Sequence, residues 1–265
     1  KALICRMMRT NMRSTNRSLS ALLVLLAILS SAVLGQSERL LIRNAVIIDG
    51  TGKPGFVGDV EIQNGSIVKV GKIKLKKGDV TINGAGLVLA PGFIDIHNHS
   101  EDGLLREGTA ANQISQGITT ILVGPDGGSP WPIAEYLAKL SGKIAPNVGA
   151  FIGHGTVREE VLKNDYKRVA TDAEIVAMEK LVEQAMNEGA FGLSSGLEYD
   201  AGFMATTEEM IALSKVAAKH GGIYMTHMRD EEEGVLNAIR ESIRIGKEAK
   251  IPVQISHIKM GNSSV

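Results

Sequence analysis

From Pro91 onward, short apolar runs alternate with helix-patterned stretches, and that alternation leaves few folds open. The runs are Phe93–Ile96, Thr119–Val123, Val148–Ile152, Phe191–Ser194, Ile223–Thr226 and Val253–Ser256. Helical periodicity is clearest over Ile133–Leu140, Ala173–Asn187, Thr207–Lys219 and Glu232–Lys250. Thr171-x-x-Glu174 and Thr206-x-x-Glu209 are capping-box signals, in which a hydroxyl and a carboxylate take up free backbone N–H groups of a first turn. Strand and helix in steady succession predict parallel strands joined by helical crossovers. A doubly wound open sheet and a (β/α)8 barrel both satisfy that pattern.

The histidines separate the two. His97 and His99 close the segment Pro91-Gly-Phe-Ile-Asp-Ile-His-Asn-His-Ser-Glu101. Side chains two apart share a face of a strand, so both imidazoles point the same way, and two such imidazoles are half of a zinc site. His154 follows the third strand, His227 ends the fifth and His257 ends the sixth. An open sheet would spread these strand ends along a line, whereas a barrel gathers them on its carboxyl-end face. The expected fold class is therefore α/β: an incomplete (β/α)8 TIM-like barrel of about six βα units. The sequence stops at Val265, just after the sixth strand, where a closed barrel needs two more. This reads as an amino-terminal fragment, whose open edges predict instability or oligomerisation.

Before Pro91 the pattern is β. Leu40–Ile48, Asp59–Gln63, Ser66–Val70, Asp79–Ile82 and Leu87–Leu89 are strand-like, and Asn64-Gly65 is a hairpin signal. The expected organisation is a signal peptide over residues 1–35, a small β-sandwich-type domain over 36–90 and the truncated barrel over 91–265. The leader has Arg6, Arg9, Arg13 and Arg17, then an apolar run over Leu19–Leu29, then Val33 and Gly35 at the small positions of a cleavage site. It implies a secreted or periplasmic protein that meets a membrane only through this segment. The chain has 29 basic and 29 acidic residues, and setting the leader aside leaves acids in excess, so no basic patch suggests nucleic acid. The one cysteine, Cys5, lies in the leader, which removes a thiol nucleophile or thiolate ligand from the mature protein.

Further motifs follow in order: Gly117-Ile-Thr-Thr-Ile-Leu-Val-Gly-Pro-Asp-Gly127, Gly153-His-Gly-Thr-Val-Arg158, Gly189-Ala-Phe-Gly-Leu-Ser-Ser-Gly-Leu-Glu-Tyr199, Thr226-His-Met-Arg229 and Ser256-His-Ile-Lys259. From about Leu40 to its end the chain resembles the amidohydrolase superfamily and, within it, the D-aminoacylase (N-acyl-D-amino-acid deacylase) family. The resemblance implies Zn²⁺, one or two ions. His97 and His99 would hold one metal position, and Asp126, His227 and His257 the stronger one. Members of the family often have a cysteine ligand within Gly-Asn-Cys-Gly, where this chain has Gly124-Pro-Asp-Gly127, so Asp126 falls at the cysteine position. A carboxylate can ligate or bridge zinc. Asp126-Gly127-Gly128 is equally a turn sequence. Many two-metal members use a carboxylated lysine on the fourth strand, and Phe191–Tyr199 has no lysine. Glu198 is then a rival bridging carboxylate, or simply a solvated loop acid.

Tyr199 resembles the family's pocket tyrosine, which contacts the substrate carboxylate. Arg229 and Lys259 each follow a candidate ligand by two residues, and either bind that carboxylate or pair with nearby acids. His154 and Arg158 are placed as supports at the barrel mouth. His220 and the acid run Asp230–Glu233 read as helix-end charges that suit the dipole. The family's catalytic aspartate lies at the end of strand eight, so no residue here is assigned as general base. The activity implied is metal-dependent hydrolysis of N-acyl-D-amino acids, releasing a carboxylate and a D-amino acid. A D- or isopeptide dipeptidase, a cyclic-amide hydrolase, and an inactive metal-binding fragment stay open as alternatives. The partner is a small molecule, an N-acyl-amino acid or dipeptide, and the oligomeric state is not readable.

Overall fold

A computed structural model describes residues 39–259; the expected signal segment lies outside the described residues. The chain divides into two compact units between Pro91 and Gly92.

In the first unit, Leu40–Ile47 (β1), Phe56–Gln63 (β2), Ser66–Gly71 (β3), Val80–Asn83 (β4) and Val88–Leu89 (β5) form one mixed sheet. β1 pairs antiparallel with β2, and β2 with β3, while β4 and β5 lie parallel to β1. The β2–β3 turn places Asn64 at φ 51° and Gly65 at φ 74°, the left-handed pair that a tight hairpin needs and that Asn-Gly supplies cheaply. Leu41, Ala45, Ile47, Val60 and Ile73 are buried. Asp59 fastens two bends by accepting from the backbone N–H groups of Asn44 and Ile73.

In the second unit the strands run Phe93–Asn98 (β6), Ile118–Val123 (β7), Asn147–Ala150 (β8), Ile152–Gly153 (β9), Gly192–Gly196 (β10), Ile223–His227 (β11) and Val253–Ile255 (β12). The expected third strand is therefore broken at Phe151, with β8 pairing to β7 and β9 to β10. All pairs are parallel and adjacent in chain order, β6-β7-β8 and β9-β10-β11-β12. Phe151 donates its N–H to Val123 O across the break, at 2.9 Å. Right-handed crossovers that always step the same way put every helix on one face, so the other face curls inward. A flat array would hold its outermost strands roughly 24 Å apart at about 4.8 Å per step. The imidazoles of His97 and His257, at the ends of β6 and β12, have ring centroids only 5.3 Å apart. The array is strongly curved and fits part of a (β/α)8 barrel.

The helices are Glu101–Arg106 (α1), Ala111–Ile114 (α2), Ile133–Leu140 (α3), His154–Leu162 (α4), Asp172–Asn187 (α5), Asp200–Phe203 (α6), Thr207–Lys219 (α7) and Val235–Ala249 (α8). The main core lies between strands and helices, with Ile121, Val123, Ile152, Leu193 and Tyr224 packed on Ile133, Met178, Val182, Met210 and Ile245. Leu122, Phe151 and Met225 form a small cluster of their own, with Ile96 and Ile223 against it. Alternate residues of one strand thus serve two different cores, as period-two strands covered on both faces must.

Three expectations need correction. Thr171 and Glu174 make the full capping box, but Glu209 accepts nothing from the Thr206 backbone. Thr206 Oγ1 still accepts from Glu209 N–H, at 3.1 Å. The Glu209 carboxylate instead meets His154 Nε2 at 2.8 Å and Arg158 NH1 at 2.7 Å. All three side chains are fully buried, so His154 and Arg158 tie α4 to α7 inside the core rather than flanking the mouth. Arg158 NH2 also donates to the carbonyls of Tyr166 and Arg168. Finally, α8 starts at Val235, not Glu232. Asp230 Oδ1 accepts the N–H groups of Glu232 and Gly234 and holds that stretch as a turn.

Burial holds the His154 imidazole below its ordinary pKa, against the pull of Glu209. This agrees with a neutral ring that donates from Nε2 while its Nδ1 has no partner. Burial pushes the Glu209 carboxyl up, but the bonds from His154 and Arg158 outweigh it and leave it below the usual range. Removing Glu209 would strand the Arg158 cation in the core, so Glu209→Ala should cost about 3–5 kcal/mol in chemical denaturation. Both folded-state values lie below the unfolded ones, so the unfolded chain binds protons first as pH falls and stability is lost. The loss should begin below about pH 6.5, where free histidine titrates, and continue through the carboxylate range. His154→Gln, which keeps a donor toward Glu209, should flatten the upper part of that profile in pH-dependent denaturation.

Candidate metal centre

Three strand ends and one loop bring the expected ligands together. The loop after β7 places Asp126 at φ 56°, a left-handed conformation that Asp tolerates better than most residues. Gly127 follows at φ 86°. Ser194 in β10 pins this loop, donating to Gly124 O at 2.6 Å and accepting from Gly127 N–H at 3.3 Å. Glu101 accepts the N–H of Gly124. A side chain is excluded where the loop passes β10, because a Cβ on Gly196 would lie 2.3 Å from Asp126 O and 2.4 Å from Tyr199 Cδ2. Asp126 is thus both turn residue and carboxylate at the centre, two readings that the sequence presents as alternatives.

Asp126 Oδ2 lies 3.2 Å from His97 Nε2 and 3.2 Å from His99 Nε2. Its Oδ1 is buried, has no hydrogen-bond partner and stands 3.9 Å from His257 Nε2. His257 Nε2 in turn is 3.1 Å from His227 Nδ1. His97, His99 and Asp126 form one group able to hold a cation; Asp126, His227 and His257 form a second, with ligand atoms inside 4.8 Å of one another in each. Donors on a tetrahedral zinc stand roughly 3.3 Å apart, given bonds of about 2.0–2.1 Å. The neighbouring spacings here are close to that. Burial lowers the His97 pKa against the attraction of Asp126, which favours the neutral, ligating form. The orphaned Oδ1, the clustered imidazoles and the shared carboxylate together fit a zinc ion.

Asp126 is the residue common to both of these groups, and Glu198 belongs to neither. Glu198 Oε2 sits 2.7 Å from His227 Nε2, on the other side of that ring from His257 and with its side chain 45% exposed. Glu198, His227 and Glu231 make a third group. Tyr199 OH lies 3.1 Å from His227 Nδ1, and the phenol is raised in pKa chiefly by burial. Lys259 Nζ reaches Glu231 Oε2 at 2.9 Å and is otherwise open to solvent. Arg229 is engaged within the protein: it makes two bonds to Glu241 and donates to the carbonyls of Phe203 and Ala205, the pairing with an acid that the sequence offers as one of its two readings. His220 pairs with Glu183 away from these groups. A cleft beside His99 and Asp126 is lined by Arg106, Trp131, Tyr136 and Tyr199.

Glu231 is the residue that sequence reasoning missed. Its side chain is 4% exposed and its Oε1 lies 2.7 Å from His257 Nδ1. Within Asp230–Glu233 it looks like one more surface acid. The available signal is Asp230, whose side chain can cap a turn at that point and leave its neighbour pointing inward.

Comparison with known proteins follows the same lines. The amidohydrolase family matches residues 88–254. The D-aminoacylase of Alcaligenes xylosoxydans xylosoxydans is 38% identical, over 83% of this chain and 50% of that protein. A solved D-aminoacylase, studied for one-metal activation and second-metal attenuation of its binuclear centre, is similar at TM-score 0.79 and 35% identity, over 84% of this chain and 52% of that one. The N-acyl-D-glutamate deacylase of Bordetella bronchiseptica, solved with zinc and a phosphonate mimic of the tetrahedral intermediate, is similar at TM-score 0.79 and 30% identity, over 85% of this chain and 52% of that one. This chain spans about half the length of these relatives. A curved parallel array with histidines at its strand ends, matched along most of its length, places the chain in the amidohydrolase family.

Proposed function

We propose that the whole protein is a zinc-dependent hydrolase of N-acyl-D-amino acids. The observation that carries this is the gathering of His97, His99, Asp126, His227 and His257 around one carboxylate, in a chain similar to deacylases of that substrate class. His97 and His99 hold one metal position and His227 and His257 the other, with Asp126 between them. When bound, zinc supplies Lewis acidity for an amide carbonyl and brings a coordinated water to a pKa of about 7. The residues of this chain have three further tasks. Asp126, seated in its strained turn, fixes how the two histidine pairs face each other. Tyr199, with its hydroxyl beside His227, donates to the substrate carboxylate at the cleft. Lys259, exposed apart from its bond to Glu231, supplies the positive charge that this carboxylate needs. The general base comes from the part of the protein that the relatives have and this chain does not span.

Two coarser features extend this reading. The sheet of the first unit exposes Ile67, Val68, Val70, Val80, Ile82 and Val88, which supports its being one layer of a β-sandwich-type domain in the whole protein, with residues 36–90 and 91–265 as separate parts. A structure of the whole protein tests that. The Arg-rich start and the apolar run Leu19–Leu29 support export to a secreted or periplasmic location, and the mature protein should then begin at Gln36 when its amino terminus is sequenced.

The full-length protein should hydrolyse N-acetyl-D-methionine and leave the L-enantiomer intact. Chelation should abolish turnover and added zinc should restore it; equal rates on both enantiomers, or turnover that survives chelation, would remove the reading. Asp126→Ala should lower zinc affinity at least ~10-fold in a competition titration, because one carboxylate serves both positions. Unchanged affinity would return Asp126 to a purely conformational role.

A further inference from the structure

The acid run after β11 contains one carboxylate that does not behave like its neighbours. Glu232 and Glu233 are exposed, whereas Glu231 is buried. The turn capped by Asp230 directs it inward, where Oε2 stands 2.9 Å from Lys259 Nζ and Oε1 stands 2.7 Å from His257 Nδ1, a close charge contact whose angle is not that of a hydrogen bond, so that the buried Oε1 has no hydrogen-bond partner. His257 therefore has a carboxylate at one ring nitrogen and, at the other, His227 Nδ1 at 3.1 Å and Asp126 Oδ1 at 3.9 Å. A carboxylate this close to one ring nitrogen favours the tautomer with its proton there and leaves the other nitrogen free to ligate, and a small turn of the ring would complete the bond. That hold matters more here than at most ligands, because the His257 backbone sits at φ 34°, where a side chain other than glycine is strained. His227 has a carboxylate of its own, Glu198, hydrogen-bonded at Nε2, but that side chain is 45% exposed and water weakens its pull, whereas Glu231 is 4% exposed.

From this we propose that Glu231 is a positioning residue that sets His257 toward the metal and Lys259 toward the substrate carboxylate at once. The two tasks hang on one buried carboxylate, so affinity for the ion and affinity for the substrate are coupled through it. The inference rests on the zinc-hydrolase reading and deepens it.

The test compares Glu231→Gln with Lys259→Met in the full-length protein. Zinc dissociation constants come from competition with a chromophoric chelator, and kcat and KM from N-acetyl-D-methionine. Glu231→Gln should raise the zinc dissociation constant ~10- to 100-fold, the usual cost of losing such a support, and should raise KM as well. Lys259→Met should raise KM and leave zinc affinity within about twofold, since it touches only one of the two tasks. Glu231→Gln that binds zinc as tightly as the parent overturns the inference while leaving the zinc site in place. A parent that binds no zinc removes the zinc-hydrolase reading and this one together. If Glu231→Gln does not fold, ¹⁵N-histidine spectra of the zinc-loaded parent decide: a proton on His257 Nδ1 with Nε2 on the metal supports the inference, and the reverse tautomer overturns it.

Discussion

The centre is organised by the Asp126 carboxylate, which faces imidazoles from opposite ends of the parallel array. His97 and His99 come from the first strand position of that array and His257 from the last. They meet only because the strands follow one another in chain order and the sheet curls. Each βα step adds one more rotation of the same sense, and the inward-facing strand ends converge. A carboxylate with one oxygen toward two imidazoles and the other unpartnered is an arrangement that a protein rarely keeps without a use. The loop that presents it is built with little freedom: a left-handed aspartate between Pro125 and Gly127, a serine bond from β10, and a backbone approach that excludes any side chain at Gly196.

A second buried polar group works on the other side of the strands. Glu209 joins His154 and Arg158 where α4 meets α7, and Arg158 carries the connection to the carbonyls of Tyr166 and Arg168. Apolar side chains of the same volume would give comparable stability. What the ionic group adds is a specific link between two crossover helices, whose neighbouring strands carry candidate ligands. Ser195, Tyr224 and Thr226 make a similar closed set of hydroxyl bonds in the core, with the Tyr224 phenol pushed up to about 12 chiefly by burial.

Much of this was legible in the sequence because strand ends and periodicities are local. The runs from Phe93 to Ser256, the Asn64-Gly65 hairpin and the Thr171 capping box all follow from residue type at short spacing. The histidines were legible for the same reason, since a pair at i and i+2 closing an apolar strand has few other uses. What escaped depends on partners far away in the chain. Thr206-x-x-Glu209 has the letters of a capping box, yet Glu209 is claimed by Arg158, fifty-one residues earlier. Glu231 is hidden among like charges, and only the fold shows which of them turns inward. Arg229 looks available two residues after a ligand, until Glu241 and two carbonyls are seen to occupy it. The third strand reads as one run, but the curl of the array divides it at Phe151 between two sets of neighbours.

The order of the strands also bears on how the molecule holds itself together. Cations held by His97 with His99 and by His227 with His257, with Asp126 common to both groups, would stitch the first strand of the parallel array to its last through side chains rather than through backbone pairing. Such a stitch removes more freedom from the unfolded chain than one between adjacent strands, and its hold on the fold grows with the concentration of free ion. The supply of free ion would then bear on how long the fold persists.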